Sequence, residues 1–235
     1  EEIKYLHKPH IGTDLLRGIV KNIRKEIIRL GGEVRFGSQV TDIECTSGSL
    51  AAVIVNGTER IATGSVFMGI GHSARDTYTM LYDKGLPMEA KSFAIGVRIE
   101  HPQEFIDRAQ YGTDAGNPRL PTADYALTYK DAASGRGAYS FCMCPGGQVV
   151  AAASELGRLV TNGMSCYHRD SGVANAALLV TVTPADFGRE VLNGMEFQRK
   201  CEAGAFRAGG SDYYATVQTV GAFLHGRQGA QHILT

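Results

Sequence analysis

Glycine is the residue that most restricts what this chain can fold into. It supplies 29 of the 235 residues, against a usual frequency of about 7%. Glycine is favoured where the backbone takes a positive φ or must pass close to a ligand. We therefore expect short elements separated by tight turns, with several places where backbone comes near a bound group.

Charge and apolar content exclude several classes of protein. The chain carries 24 Lys and Arg against 24 Asp and Glu, so it has no electrostatic footprint for nucleic acid. A hydrophobic content of 43% argues against disorder. No apolar run approaches the roughly 18 residues of a membrane span, and the start, Glu1-Glu2-Ile3-Lys4, does not have the form of a signal peptide.

The cysteines indicate a reduced compartment. There are five of them, an odd number with no repeating spacing: Cys45, Cys142, Cys144, Cys166 and Cys201. We therefore expect a cytoplasmic protein in which most thiols act as small buried hydrophobes.

A long amphipathic helix is predicted over residues 14–30. Apolar residues recur there at helical spacing, and basic residues fill the other face. Thr13 is the expected N-cap, and Gly31-Gly32 supplies a left-handed stop.

A small antiparallel meander is predicted after this helix. The turn signals Ser47-Gly48 and Asn56-Gly57 separate short apolar runs, and Asn-Gly is a strong hairpin signal. The predicted strands are residues 33–36, 40–45, 50–55 and 59–62. A further strand at 65–68 and a helix at 73–84, ended by Gly85 and Pro87, complete a βα unit.

The second half of the chain is predicted to form a mixed sheet with helices. Predicted strands are 93–99, 125–129 and the β-branched run 174–183, with helices at 102–110 and 194–207 and a polar loop at 112–121. Residues 138–144 and 148–153 are predicted to pair as a hairpin across Pro145-Gly146-Gly147, which fits a type II turn. A composition shift at 89–91 suggests a boundary between two lobes.

The segment Gly69-Ile70-Gly71-His72-Ser73-Ala74 fits the pattern G-x-G-x-x-[G/A] of a dinucleotide-binding turn. Backbone N–H groups at a helix start would then face a phosphate. The acidic residue expected about twenty positions later is missing, because Glu89 is too near and Glu100 too far. A glycine-rich strand-to-helix turn without a ligand is the alternative.

Two further segments have both a functional and a structural interpretation. Residues 8–14 could present N–H groups, a hydroxyl and His10 to an anion, or could be an ordinary capped helix entry. In a strand, Cys142 and Cys144 would share one face, as a redox pair or as pocket-lining thiols. Zinc would need more ligands, for which Cys166 with His168 is a loose candidate.

Residues 161–164 and Arg98 are weaker candidates for functional residues. Residues 161–164 (TNGM) have the composition of a tight turn, in which Asn162 could contact a ligand. Arg98 lies in an apolar strand and is expected to point into solvent, since a buried position would require a partner.

Taken together, these strings resemble bacterial proteins described as FAD-dependent, or NAD(FAD)-utilising, dehydrogenases. The resemblance covers nearly the whole chain in the family's order, and rests on KPHIGTDLLRGIVKNIRKEI, GIGHSARDTY, FAIGVRIEHPQ, YSFCMCPGGQVVAAAS, TNGMS and ALLVTVTPADF. Family members carry a glycine-rich FAD-binding βαβ unit before this region and another glycine segment after it. The resemblance therefore implies a middle fragment.

The resemblance also implies a fold and a set of site residues. The fold class is α/β (mixed α+β), with a partial FAD-domain lobe over residues 1–89 and a mixed-sheet, substrate-side domain over residues 90–235. The implied flavin-facing residues are His10, Gly12, Thr13, Gly69, Gly71, His72 and Ser73. The implied substrate-side residues are Cys142, Cys144, Pro145, Gly146, Gly147, Asn162 and Gly163, with either cysteine as a candidate catalytic group.

The implied function is that of part of a flavin-dependent oxidoreductase using FAD, with NAD(P)H as a further cofactor. One alternative is a substrate-binding or interaction module without bound cofactor, and another is a nicotinamide-binding module using residues 69–74. We expect this chain alone to be colourless, to hold FAD weakly or not at all, and to self-associate through an open apolar face. No metal, nucleic acid or membrane partner is expected, and the substrate is a small molecule of unknown identity.

Overall fold

The computed structural model describes residues 10–227 and 231–233, and within them the fold is mixed α+β as expected. Residues 8 and 9 of the predicted helix entry lie outside the described residues. None of the described helices has both the length and the apolar character that crossing a membrane would require.

Helix α1 (Thr13–Arg29) confirms the first predicted element. It begins one residue earlier than expected, because Gly12 with φ +81° takes the N-cap position and Thr13 is already helical. Gly31 has φ +88°, which is the predicted left-handed stop. No residue of α1 is buried, so within the described residues its apolar face stays accessible to solvent.

The meander is confirmed as a three-stranded antiparallel sheet in the order β1 (Val40–Thr46), β2 (Ser49–Val55) and β3 (Glu59–Ala62). Both turns have two consecutive residues at positive φ, as type I′ turns require. Helix α2 (Arg75–Asp83) covers this sheet, with Leu81 packed against Ile43 and Val53.

Two of the predicted early strands do not form. Residues 33–36 are irregular, with Phe36 75% exposed, and residues 65–68 are irregular, with Phe67 99% exposed. A strand is stable only when its backbone groups pair with a neighbouring strand, and among the described residues neither segment lies in a sheet.

A four-stranded antiparallel sheet organises the second half. Its order is β4-β9-β6-β5, with β4 (Phe93–Pro102), β5 (Thr128–Lys130), β6 (Gly137–Cys144) and β9 (Val173–Val182). The longest ladder pairs β4 with β9 from Phe93↔Val182 to Pro102↔Val173. Helix α3 (Gln103–Tyr111) packs on it through Ile106, and residues 112–114 add a short 3₁₀ turn.

The hairpin predicted across Pro145-Gly146-Gly147 is wrong. Strand β6 pairs with β5 and β9, whereas β7 (Gly147–Ala152) pairs with β8 (Val160–Ser165). The turn is buried, and the Gly146 N–H donates to Gln103 Oε1 at 2.9 Å. The predicted turn at 161–164 is also wrong, since Asn162 and Gly163 pair within β8 against Val150 and Val149.

The remaining elements close the fold. They are α4 (Pro184–Phe187), α5 (Asn193–Ala208), β10 (Ala215–Val217), α6 (Val220–Leu224) and β11 (Gln231–Ile233). A capping box between Thr183 and Asp186 starts α4. Strands β10 and β11 form a separate two-stranded sheet.

A buried ion-pair cluster joins α2 to α5. The Arg75 side chain is 1% exposed, and its guanidinium donates to Glu155 Oε2 at 2.6 Å and to Glu202 Oε2 at 2.9 Å. Arg199 also binds Glu155. The cluster spans the predicted boundary between residues 89 and 90, which itself stays a prediction.

Candidate functional site

The start of α1 lies against the end of β8, although the two are more than 150 residues apart. His10 Nε2 donates to the Cys166 carbonyl at 3.0 Å, and the Thr13 hydroxyl donates to the Ser165 carbonyl at 3.3 Å. In the other direction, the Tyr167 N–H donates to Asp14 Oδ1 at 2.9 Å. The helix entry is therefore held by polar contacts to one strand end.

A shallow cavity of about 240 Å³, largely open to solvent, lies at this junction. Its lining combines the helix entry with residues of β6 and β8: His10, Ile11, Gly12, Thr13, Leu16, Cys144, Gly163, Met164 and Ser165. Three of the predicted flavin-facing residues, His10, Gly12 and Thr13, thus meet two of the predicted substrate-side residues, Cys144 and Gly163.

Two of the lining residues are glycines at points of close approach. Gly12 has φ +81°, and a Cβ there would overlap the Tyr167 backbone. A Cβ at Gly163 would overlap the Arg98 guanidinium and the Asn175 side chain. The close contacts of these glycines are therefore part of how the cavity walls are built.

The expectation that the two thiols share a face is wrong. A bulge between Phe141 and Cys144 breaks the alternation of β6, and Cys142 takes φ +47°. Cys142 is exposed, whereas Cys144 is buried with its Sγ donating to the Cys142 carbonyl at 3.3 Å. Burial is the main cause that raises the pKa of the Cys144 thiol, and the neighbouring Cys142 raises it further. Cys144 is therefore protonated near neutral pH.

The other predicted substrate-side residues lie outside the cavity lining. Pro145, Gly146 and Gly147 are buried beside it, and Asn162 is exposed on β8. A Cβ at Gly146 would overlap the Arg169 carbonyl, so this segment holds β6 and the loop after β8 together. Within the described residues, no group of three or more His, Cys, Asp or Glu is arranged to hold a metal ion.

Gly69, Gly71, His72 and Ser73 form a second, separate locus. All four are exposed and precede α2. Ser73 Oγ lies 2.9 Å from Ser154 Oγ, and the Tyr78 hydroxyl donates to the Gly71 carbonyl at 3.2 Å. Because residues 65–68 form no strand, the strand-turn-helix context of a dinucleotide-binding turn is incomplete here.

The predicted solvent-facing position of Arg98 is wrong, and its partner Asn175 is a residue that the sequence did not indicate. Arg98 points inward, not into solvent: Nη1 donates to Asn175 Oδ1 and, at 3.3 Å, to the Cys142 carbonyl. Asn175 is fully buried, and its Nδ2 donates to the Gly147 carbonyl at 2.9 Å. The available signal was a single arginine in the apolar run FAIGVRI.

Comparison with known proteins places these features in context. The family model described as FAD-dependent protein, C-terminal domain-like, matches residues 92–234. A relative described as an uncharacterized protein of Clostridium beijerinckii is 58% identical over 227 residues. The match covers 96% of this chain and 42% of the relative, so the chain spans less than half of the relative's length.

Proposed function

Starting from the fact that this chain belongs to the FAD-dependent protein, C-terminal domain-like family, we propose that it is part of an FAD-dependent dehydrogenase. The cavity at the α1–β8 junction is the place where its residues face the flavin ring and a small-molecule substrate. One observation carries this proposal: the cavity brings together His10, Gly12 and Thr13 with Cys144 and Gly163.

The cavity fits one part of FAD. Sites for complete small molecules usually measure about 300–1,000 Å³, and this cavity measures about 240 Å³. Its lining contains no lysine or arginine and no glycine-rich phosphate loop. The cavity can therefore hold at most a part of FAD such as the ring system, and the pyrophosphate and adenine require other polypeptide.

When bound, FAD supplies hydride transfer, and the protein supplies position, electrostatics and exclusion of water. His10 offers a proton-transfer atom in such a site. A carbonyl oxygen can only accept, so the bond to Cys166 places the proton of a neutral His10 ring on Nε2. Nδ1 is then the atom that can accept a proton from a ligand.

The cysteines have different roles in this proposal. Cys144, with its raised pKa, is a neutral thiol lining the cavity and is unsuited to act as a thiolate nucleophile. Cys142 is exposed beside it. Unchanged turnover after replacing both cysteines with serine would remove them from the mechanism.

The test uses the longer Clostridium beijerinckii relative together with this chain. We expect the relative to purify with FAD, identified after denaturation, and this chain alone to be colourless. Placed in the relative at the aligned position, Gly163→Ala should shift the flavin absorption or weaken flavin retention, because the new Cβ displaces Arg98. The matched control is Gly64→Ala, since a Cβ at Gly64 meets nothing within 4 Å.

The same experiment separates the alternatives. A relative that purifies without flavin and does not take up FAD contradicts the proposal and favours a binding module without cofactor. Saturable binding of NADH or NADPH to this chain, followed by fluorescence, would instead favour a nicotinamide site at residues 69–74.

A further inference from the structure

Helix α1 has an apolar stripe that the described residues leave largely uncovered. Seven residues at helical spacing make up this α1 stripe: Leu15, Leu16, Ile19, Val20, Ile23, Ile27 and Leu30. Six of the seven are 42–71% exposed, and Ile19 is half-buried. Soluble proteins rarely leave so continuous an apolar surface open to water, so the α1 stripe is expected to pack against a partner.

The helix is held to the rest of the described chain only at its start. Every hydrogen bond that links it to another described element comes from His10, Thr13 or Asp14. A helix in a protein owes most of its stability to the packing of its apolar face. Beyond its first turn, α1 therefore lacks the packing that would stabilise it.

The width of the α1 stripe distinguishes between two kinds of partner. At about 100° per residue, its seven positions spread over roughly 140° of the helix circumference. Two helices from two copies of a chain would meet along a narrower seam, made by alternate spacings of three and four residues. A stripe of this width suits a broader surface, such as one face of a β-sheet.

Two strand-like segments also indicate a sheet. Residues 33–36 and 65–68 contain valine and phenylalanine, which favour strands, yet both are irregular, with Phe36 75% and Phe67 99% exposed. The guanidinium of Arg24 on α1 lies 5.4 Å from the centre of the Phe36 ring, so the first segment lies beside the helix. These segments have the composition of strands that pair only when a neighbouring sheet is present.

The comparisons indicate where such a sheet would come from. The matched C-terminal domain begins at residue 92, so α1 and both strand-like segments lie before it. The chain covers 42% of the Clostridium beijerinckii relative, so more than half of that protein lies outside the match. A length of polypeptide greater than this whole chain is ample for a sheet.

We propose that the α1 stripe is a docking surface for a β-sheet, and that this sheet is supplied by the part of the longer protein that the present chain lacks. In the longer protein, residues 33–36 and 65–68 add to that sheet as strands. This contact needs no bound flavin, so the proposal goes beyond the proposed function and is tested separately from it.

The test is hydrogen–deuterium exchange followed by mass spectrometry, on the relative and on this chain at a concentration where sedimentation shows it to be monomeric. Peptides of the segment aligned with α1 should exchange at least about tenfold more slowly in the relative. Tenfold corresponds to about 1.4 kcal/mol, less than the full burial of one leucine side chain contributes. Equal rates in the two proteins would overturn the proposal without any variant.

Dilution separates docking within one chain from association of two copies. Protection of α1 in the relative should stay the same over a hundredfold range of protein concentration, because the sheet belongs to the same polypeptide. Protection that disappears on dilution, as sedimentation shows the relative becoming monomeric, would assign the α1 stripe to a second copy and overturn the proposal.

Variants locate the contact on the helix. Placed in the relative at the aligned positions, Ile23→Gln should speed α1 exchange at least about tenfold, whereas Lys21→Gln, on the opposite face, should leave it unchanged. Peptides of β8 report in the same experiment that each variant is folded. A folded Ile23→Gln variant with full α1 protection would overturn the proposal. A relative that purifies without flavin but protects α1 would contradict the proposed function and support this contact.

Discussion

Replacing Arg75 with methionine should destabilise the chain far more than its position near the start of a helix suggests. The Arg75 side chain is 1% exposed and the Glu202 side chain 8%, so the substitution leaves a buried carboxylate without its counter-ion. Breaking a buried ion pair from one side costs about 3–5 kcal/mol. For a chain of this size, about 2–4 °C per kcal/mol gives a fall in Tm of about 6–20 °C.

The assay is urea unfolding followed by circular dichroism, with three variants. Arg75→Met should lose the stated free energy of unfolding, and Arg108→Met, whose ion pair with Glu104 is exposed, should stay within about 0.5 kcal/mol of the original. Adding Glu202→Leu to Arg75→Met should recover most of the loss, since an apolar pair replaces the ionic one. Equal, small effects of Arg75→Met and Arg108→Met would show that the cluster is not a buried ion pair in solution.

Three further predictions concern other parts of the molecule. The hydrogen bonds from Arg199 and, to a smaller extent, from Arg75 lower the pKa of Glu155 to about 2. The ionised carboxylate therefore contributes its full stabilisation above its unfolded-state pKa of about 4.3, and this contribution is lost as the pH falls towards 2. Unfolding free energy measured between pH 5 and 2 should therefore fall less steeply in Glu155→Gln, and an unchanged slope would contradict this. Gly146→Ala should cost about 1–3 kcal/mol more in urea unfolding than Gly48→Ala, because both have positive φ but only Gly146 lies against backbone. Iodoacetamide followed by mass spectrometry should label buried Cys144 more slowly than exposed Cys45, and equal rates would contradict its burial and raised pKa.

Elements defined by neighbouring residues could be predicted from the sequence. Helix α1 carries its own apolar periodicity and its own stop at Gly31, and the Asn56-Gly57 turn sets the pairing of β2 with β3. Such signals are local, so the chain folds there as its sequence indicates.

Elements defined by distant partners could not be predicted in this way. Strand β6 pairs with β9, more than thirty residues later, so the predicted pairing with the adjacent residues 148–153 is wrong. Asn162-Gly163 has turn composition, but pairing with β7 overrides that preference.

The candidate site shows the same limit. The resemblance supplied His10, Gly12 and Cys144, which the cavity brings together. The inward orientation of Arg98 could not be predicted, because its partners lie on other strands, at Cys142 and Asn175. A charge in an apolar strand has no evident role until the residues opposite it are known.

The lack of any buried residue in α1 has a consequence for how a ligand would reach the cavity. The wall made by the helix entry is held through His10, Thr13 and Asp14, whereas the opposite wall belongs to paired strands. Segments with few buried contacts open at a free energy far below that of global unfolding. Amide hydrogens of α1 should accordingly exchange with deuterium well before those of β8, and a ligand should find the helix side of the cavity easier to displace than the strand side.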